Sequence, residues 1–222
     1  MIKIKILKSE YFKLKKSYIM YFYIGKLVLE ILFSILFLNF YKNMVFNERI
    51  EFLIGIIFVI MPIFISIVSS LAIEQEKNAN KFQNIILNKN YIAIYFCKIL
   101  INYILFFIFN LILWGIIGII NYSYISYFIF IGLMSSVFSI YLFLIHFFIN
   151  LILNYNFSLI FAIFDSILII FATNGVFNKI WNFLPSLYGY QLIQNIFFSH
   201  NILINLIFLI GINLYAIKKI KC

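Results

Sequence analysis

Residues 74–90, EQEKNANKFQNIILNKN, form the longest polar interruption in a chain that otherwise reads as one apolar run after another. A membrane-embedded chain without a soluble domain must meet any cytoplasmic partner through such a segment. Its apolar residues Ala79, Phe82 and Ile86 step by three and four, one stripe of a helix, while Glu76, Lys77, Asn80, Lys81, Asn84 and Asn88 cover most of the remaining surface. The spacing predicts a short amphipathic helix across the cytoplasmic mouth between two spans. The plainer alternative is a polar loop that only reverses the chain.

The runs on either side decide the class. With 65% apolar residues, 11% charged residues and a mean hydropathy of +1.08, the chain lies far from the soluble average of about 45–50% apolar and about 25% charged. Stretches of about 20 apolar residues recur, each long enough to cross a hydrocarbon layer of ~30 Å. They do not alternate as the strands of a β-barrel would. The expectation is an all-α integral membrane protein with one transmembrane domain over residues 1–222. No small-residue cleavage site follows the first apolar run, so no removable signal peptide is expected. Cys97 and Cys222 offer no disulfide framework, since both are expected near the cytoplasmic side. Heavy use of Ile, Asn, Lys, Tyr and Phe is that of an AT-rich genome and points to a bacterial plasma membrane.

Six spans follow from the apolar runs: Tyr18–Phe40, Phe52–Ile73, Tyr91–Ile120, Ile125–Ile149, Phe157–Thr173 and Ile202–Ile217. Pro62 is expected to kink the second. A polar turn holding Lys42, Asn43, Asn47, Glu48, Arg49 and Glu51 separates the first two. Ahead of them, residues 1–17 carry a stripe of Ile4, Leu7, Tyr11, Leu14 and Tyr18 flanked by six lysines. That pattern suits a helix lying flat on an anionic membrane surface, or a basic tail that only sets topology. Residues 174–200 hold Trp181, Pro185, Tyr188 and Tyr190 and are too broken by Asn, Pro and Gly to span. They read as short re-entrant helices in the outer leaflet breaking near Pro185, or as a loop resting on the surface.

Basic residues fix the orientation. Lys3, Lys5, Lys8, Lys13, Lys15 and Lys16 precede the first span; Lys77, Lys81, Lys89 and Lys98 lie in or beside the 74–90 stretch; Lys218, Lys219 and Lys221 close the chain. With six spans all of these share one face, against Lys42, Arg49 and Lys179 on the other. The positive-inside rule then puts both termini and residues 74–90 in the cytoplasm. The net charge of +10 therefore belongs to a lipid bilayer surface, with no nucleic-acid role.

Lys26 and Glu30 stand four apart inside the first span, on one helix face, and can pair. Ionisable groups at that depth face a bundle interior or a watery cavity, so the pair either lines a substrate path or packs against a neighbouring span or subunit. Asp165 lies in the middle of the fifth span with no local basic partner, and Ser166 and Thr173 stand near enough in sequence to hydrogen-bond it. His146 reads as a satisfied histidine and His200 as a surface residue. The chain has no metal-ligating constellation, no nucleophile–base set and no glycine-rich phosphate loop. No catalytic residue, metal or directly bound cofactor is expected, and any ATP and Mg would sit on another polypeptide. Ser66 and Ser70, Gly132 and Ser136, and Gly115 and Gly118 read as places where helix backbones approach closely.

A basic amphipathic start, six spans, a charged helix between spans two and three, and a broken outer segment before span six together resemble the ABC-2 family of transporter permeases. Glu74 or Glu76, Lys77, Phe82, Leu87, Lys89 and Lys98 are similar to that family's pattern after span two, and Trp181 to Gln194 with Pro185 to its outer re-entrant helices. Asn90 stands where the family has a proline. The small size most resembles the permease subunits of lantibiotic immunity transporters. The resemblance implies no enzyme activity in this chain. It implies two permease subunits, as a homodimer or with a sister permease, each docking a separate ABC ATPase through a coupling helix in which Glu74, Glu76, Lys77, Lys81, Phe82 and Lys89 are the contact residues. It further implies that an amphipathic peptide substrate is expelled from the membrane. The alternatives are a permease of the same fold for another drug, lipid or peptide, and a stand-alone membrane immunity or scaffold protein without an ATPase.

Overall fold

In a computed structural model the chain is described over residues 2–78, 90–174, 184–195 and 200–221, and every regular element among them is helical. In order these are α1 (Ile2–Lys15), α2 (Tyr18–Phe40), α3 (Phe46–Asn78), α4 (Tyr91–Ile120), α5 (Ile125–Ile152), α6 (Tyr155–Thr173), α7 (Tyr188–Asn195) and α8 (His200–Lys221). Short 3-10 turns cover Tyr122–Tyr124 and Pro185–Leu187. Six of the helices, α2 to α6 and α8, are long and apolar enough to cross a membrane. Their outward faces carry Leu29, Ile160 and Ile207, each more than 60% exposed. Such surface is stable in lipid, which is as apolar as leucine.

Local signals account for the helix ends. Ser17 stops α1 by donating its hydroxyl to the Leu14 carbonyl at 2.8 Å, and the same oxygen accepts from Ile19 N at 3.3 Å to start α2. Asn154 caps α6 by accepting from Phe157 N at 3.1 Å. Arg49 donates to the Leu38 carbonyl at 3.3 Å, closing the turn between α2 and α3. That turn packs on the one between α4 and α5, where the Phe46 and Tyr124 rings stack at 4.2 Å.

The largest departure from expectation is α3. Glu48, Arg49 and Glu51 were expected in a turn, but the helix begins at Phe46 and places Glu48 in its first turn, where the helix dipole favours an acid. It runs without a break through Pro62 to Asn78. Its 33 residues measure ~50 Å at 1.5 Å each, more than a hydrocarbon layer needs. Residues Glu74 to Asn78 therefore belong to the end of α3. Residues 79–89, with Lys81, Phe82 and Lys89, lie outside the described residues, as does Trp181.

Packing centres on α5, which lies against α3, α4, α6, α7 and α8. Along its seam with α4, Asn110 Nδ2 donates to Ser135 Oγ at 2.7 Å and to Ser136 Oγ at 2.8 Å. Gly132 admits Trp114: a β-carbon there would stand 3.0 Å from Trp114 Cβ. Before α8, the break near Pro185 is a 3-10 turn leading directly into α7. Tyr188 and Tyr190 were expected at the membrane–water interface but are buried in the bundle, 0% and 3% exposed. Asn205 of α8 donates to the Tyr188 hydroxyl, and the Tyr190 ring meets Phe58 edge-on.

Candidate functional site

α1 does not lie free on a surface. Leu14 and Glu10 are buried, Leu7 packs against the core, and Tyr11 and Tyr18 of the expected stripe are exposed. The docked face is therefore Leu7, Glu10 and Leu14, set one and two turns apart, and it lies against α4. A carboxylate in the middle of an apolar contact needs a partner. Glu10 has two.

Lys13 Nζ stands 2.6 Å from Glu10 Oε1 and 3.0 Å from Glu76 Oε1; Lys98 Nζ stands 2.9 Å from Glu76 Oε1 and 3.0 Å from Glu10 Oε2. Two acids and two bases thus close a ring that joins α1, the end of α3 and the start of α4. Glu10, Glu76 and Lys98 are each no more than 3% exposed, while Lys13 is partly open to solvent. Burial alone lowers the affinity of Lys13 for its proton, but hydrogen bonds and charge from Glu10 and Glu76 outweigh it and hold the pKa above the ordinary 10.5. The Lys98–Glu10 contact is close without hydrogen-bond alignment, so the Lys98–Glu76 and Lys13 contacts carry the ring.

The network changes what residues 74–78 can do. Glu76 points inward and is committed to Lys13 and Lys98. Glu74 and Lys77 are exposed and, with Ser70, Asn150 and Asn154, line a cavity of about 400 Å³ at the same face. Of the residues expected to meet an ATPase, Glu74 and Lys77 are presented outward and Glu76 is part of their support.

The other expected positions lie elsewhere. Lys26 Nζ is 2.5 Å from Glu30 Oε2 and 5.2 Å from the ring centres of Phe64 and Phe106. The pair is enclosed between α2, α3 and α4, with Ser34 donating to the Glu30 carbonyl at 2.7 Å. Asp165 is 3% exposed on α6 and is reached by Ser186 and His146 rather than by Ser166, whose hydroxyl donates to the Val59 carbonyl at 2.7 Å. Thr173 Oγ1 likewise turns to its own helix, donating to the Ile170 carbonyl at 2.7 Å. On the opposite face, a cavity of about 540 Å³ between α3 and α6 is walled by Phe52, Ile56, Ile60 and Ile170, with Glu48 and Glu51 among its lining.

Glu10 is the functional-site residue that sequence reading passed over. Its signal was present: a single acid among six lysines, three residues before Lys13. The chain matches no protein family, no curated protein and no solved structure.

Proposed function

We propose that this chain is the permease subunit of an ATP-driven exporter of the ABC-2 type, expelling an amphipathic peptide of the lantibiotic class from the membrane and so protecting the cell. The observation that carries the reading is the buried ring of Glu10, Lys13, Glu76 and Lys98. It ties together the described residues on either side of 79–89, because Glu76 precedes that stretch on α3 and Lys98 follows it on α4. A force applied to residues 79–89 by a cytoplasmic ATPase would pass into two spans and α1 together. Glu74 and Lys77, exposed at the end of α3, supply charges for such a partner. The cavity between α3 and α6, with apolar walls and two carboxylates, supports a ligand that is both cationic and apolar.

The test is a charge reversal confined to the exposed pair, Glu74→Lys with Lys77→Glu. Glu76 is unsuitable because its substitution would break the internal ring. The expected result is loss of peptide resistance with unchanged protein in the membrane. Full resistance in that variant would contradict the coupling role.

A further inference from the structure

A second polar cluster lies where α3, α5 and α6 meet, buried in the bundle and separate from the ion ring. Ser66 Oγ and Ser158 Oγ are 2.9 Å apart, and Ser158 Oγ is 3.0 Å from His146 Nδ1. Asn150 Nδ2 donates to Ser158 Oγ at 3.1 Å, and Asn150 Oδ1 accepts from Ser70 Oγ at 2.9 Å. Ser70 and Asn150 line the 400 Å³ cavity, so this end of the string reaches the face that the lysine distribution assigns to the cytoplasm. At the other end His146 Nε2 faces Asp165 Oδ2 across 3.8 Å. The Asp165 carboxyl is also hydrogen-bonded by Ser186, in the 3-10 turn that leads into α7.

Both facing groups are deeply buried, at 0% and 3% exposure, and neither His146 Nε2 nor Asp165 Oδ2 has a hydrogen-bond partner among the described residues. Buried polar atoms are almost always paired. An imidazole nitrogen and a carboxylate oxygen that are both unprotonated would point lone pairs at each other in a medium of low dielectric, which is unfavourable. An Nε2–H on the neutral imidazole removes that conflict, but it leaves Asp165 as a buried carboxylate with no lysine or arginine beside it among the described residues, a charge that one further proton would neutralise. We infer that His146 and Asp165 form an intramembrane proton-binding site, filled from the cytoplasmic cavity past Asn150 and Ser158 and communicated through Ser186 to the outer segment at residues 184–195.

The proton balance is as follows. In the empty site the neutral imidazole carries its one N–H at Nε2, directed at ionised Asp165, and Nδ1 accepts the Ser158 hydroxyl. Filling adds one proton taken from water in the cavity. Ser158 passes its hydroxyl proton to Nδ1 and takes a replacement from a cavity water that reaches it when the Asn150 amide swings aside, so its bond to His146 reverses from donor to acceptor. The pair changes from one negative charge to neutral, and only O–H and N–H bonds form or break. The Asn150 amide does not relay protons and acts as a stopper between the cavity and Ser158. The outer end is shut: the space around Ser186, closed by Phe58, Phe138 and Gly189, is about 10 Å³, at most one water.

No other charge competes for the site among the described residues. α3 presents the Ser66 and Ser69 hydroxyls there, and its Glu76 is held with Lys98 of α4 in the ion ring. Tyr95 of α4 donates to Asn213 of α8, and Tyr141 of α5 to the Ile202 carbonyl. The phenol of Tyr188 on α7 is held by Asn205.

The test is solid-state NMR of the ¹³C,¹⁵N-labelled full chain in lipid nanodiscs over a pH series. His200→Asn leaves His146 as the single histidine. The expected result is that the His146 ring nitrogens and the Asp165 carboxyl carbon move together at one shared midpoint. Asp165→Asn shifts the His146 midpoint by about one unit or more, tenfold in proton affinity, and Asn150→Ala speeds exchange of the His146 N–H with deuterated water. A His146 ring that stays neutral throughout while Asp165 titrates alone overturns the site, and unchanged exchange in Asn150→Ala overturns the entry route. The titration is read in the chain without any ATPase, so it stands or falls separately from the export reading.

Discussion

Lys98 is the residue on which the termini-bearing face depends most. It is 3% exposed and is the only base in the ring fully withdrawn from water. Removing one member of a buried ion pair strands its partner, at a cost of about 3–5 kcal/mol. Lys98→Met is therefore expected to lower stability by that amount, read as the thermal unfolding midpoint in detergent. Replacing Glu10 and Lys13 together by Gln is expected to cost less, because no net charge is stranded. Gly189 is a second sensitive point: a β-carbon there would stand 2.8 Å from Phe58 Cε1, and that ring is itself held edge-on by Tyr190. Gly189→Val is expected to destabilise by about 1–3 kcal/mol through overpacking; an unchanged unfolding midpoint would show that Phe58 can yield. Little of this was readable beforehand. Glu10 and Lys13 stand three apart and could be paired by eye. Glu10 with Lys98, and Lys13 with Glu76, are joined only by the fold. The same holds for Asp165, whose neighbours Ser166 and Thr173 bond backbone carbonyls while His146 and Ser186 approach it from other elements.

At the scale of elements, the spans were legible because composition and length dictate them. The expected limits of the first and third spans, Tyr18–Phe40 and Tyr91–Ile120, are those of α2 and α4. The overhang of α3 was not legible, because Glu48 and Glu51 read as turn chemistry, and Glu74 and Glu76 as the start of a separate amphipathic helix, although a helix longer than the hydrocarbon carries such residues at both ends. The facing of α1 was also missed. A periodic stripe identifies an apolar side, but the buried side is rotated to include Glu10, because Lys98 and Lys13 are there to receive it. Deleting residues 2–15 is expected to leave α3 and α4 with an incomplete ring and to make the 74–98 region easier to cleave by protease. The pH dependence of α1 docking has a definite sign. Lys13 has a folded pKa above 10.5, so its contribution is complete below 10.5 and is lost only as pH climbs through the higher folded value. Protease protection of α1 owed to Lys13 should therefore hold up to pH 10.5 and fall above it; a loss already at neutral pH would contradict the pairing.

For the whole molecule, two features stand at opposite faces: the exposed Glu74 and Lys77 at the end of α3, backed by the buried ion ring, and an apolar cavity with Glu48 and Glu51 between α3 and α6. The proposed exporter role would need both, a place to receive force and a place to hold cargo. Glu48→Gln with Glu51→Gln is expected to weaken resistance to a cationic peptide while leaving a neutral one unaffected; equal loss for both would assign the carboxylates to folding instead. The central claim is that this bundle works with a separate ATPase. Its most direct test is purification of the tagged full chain from its native host in mild detergent, with quantitative mass spectrometry of what accompanies it. The account predicts an ABC ATPase in near-equal amount, lost when Glu74 and Lys77 are reversed. Recovery of the chain alone, from a preparation in which other membrane complexes survive, would contradict it.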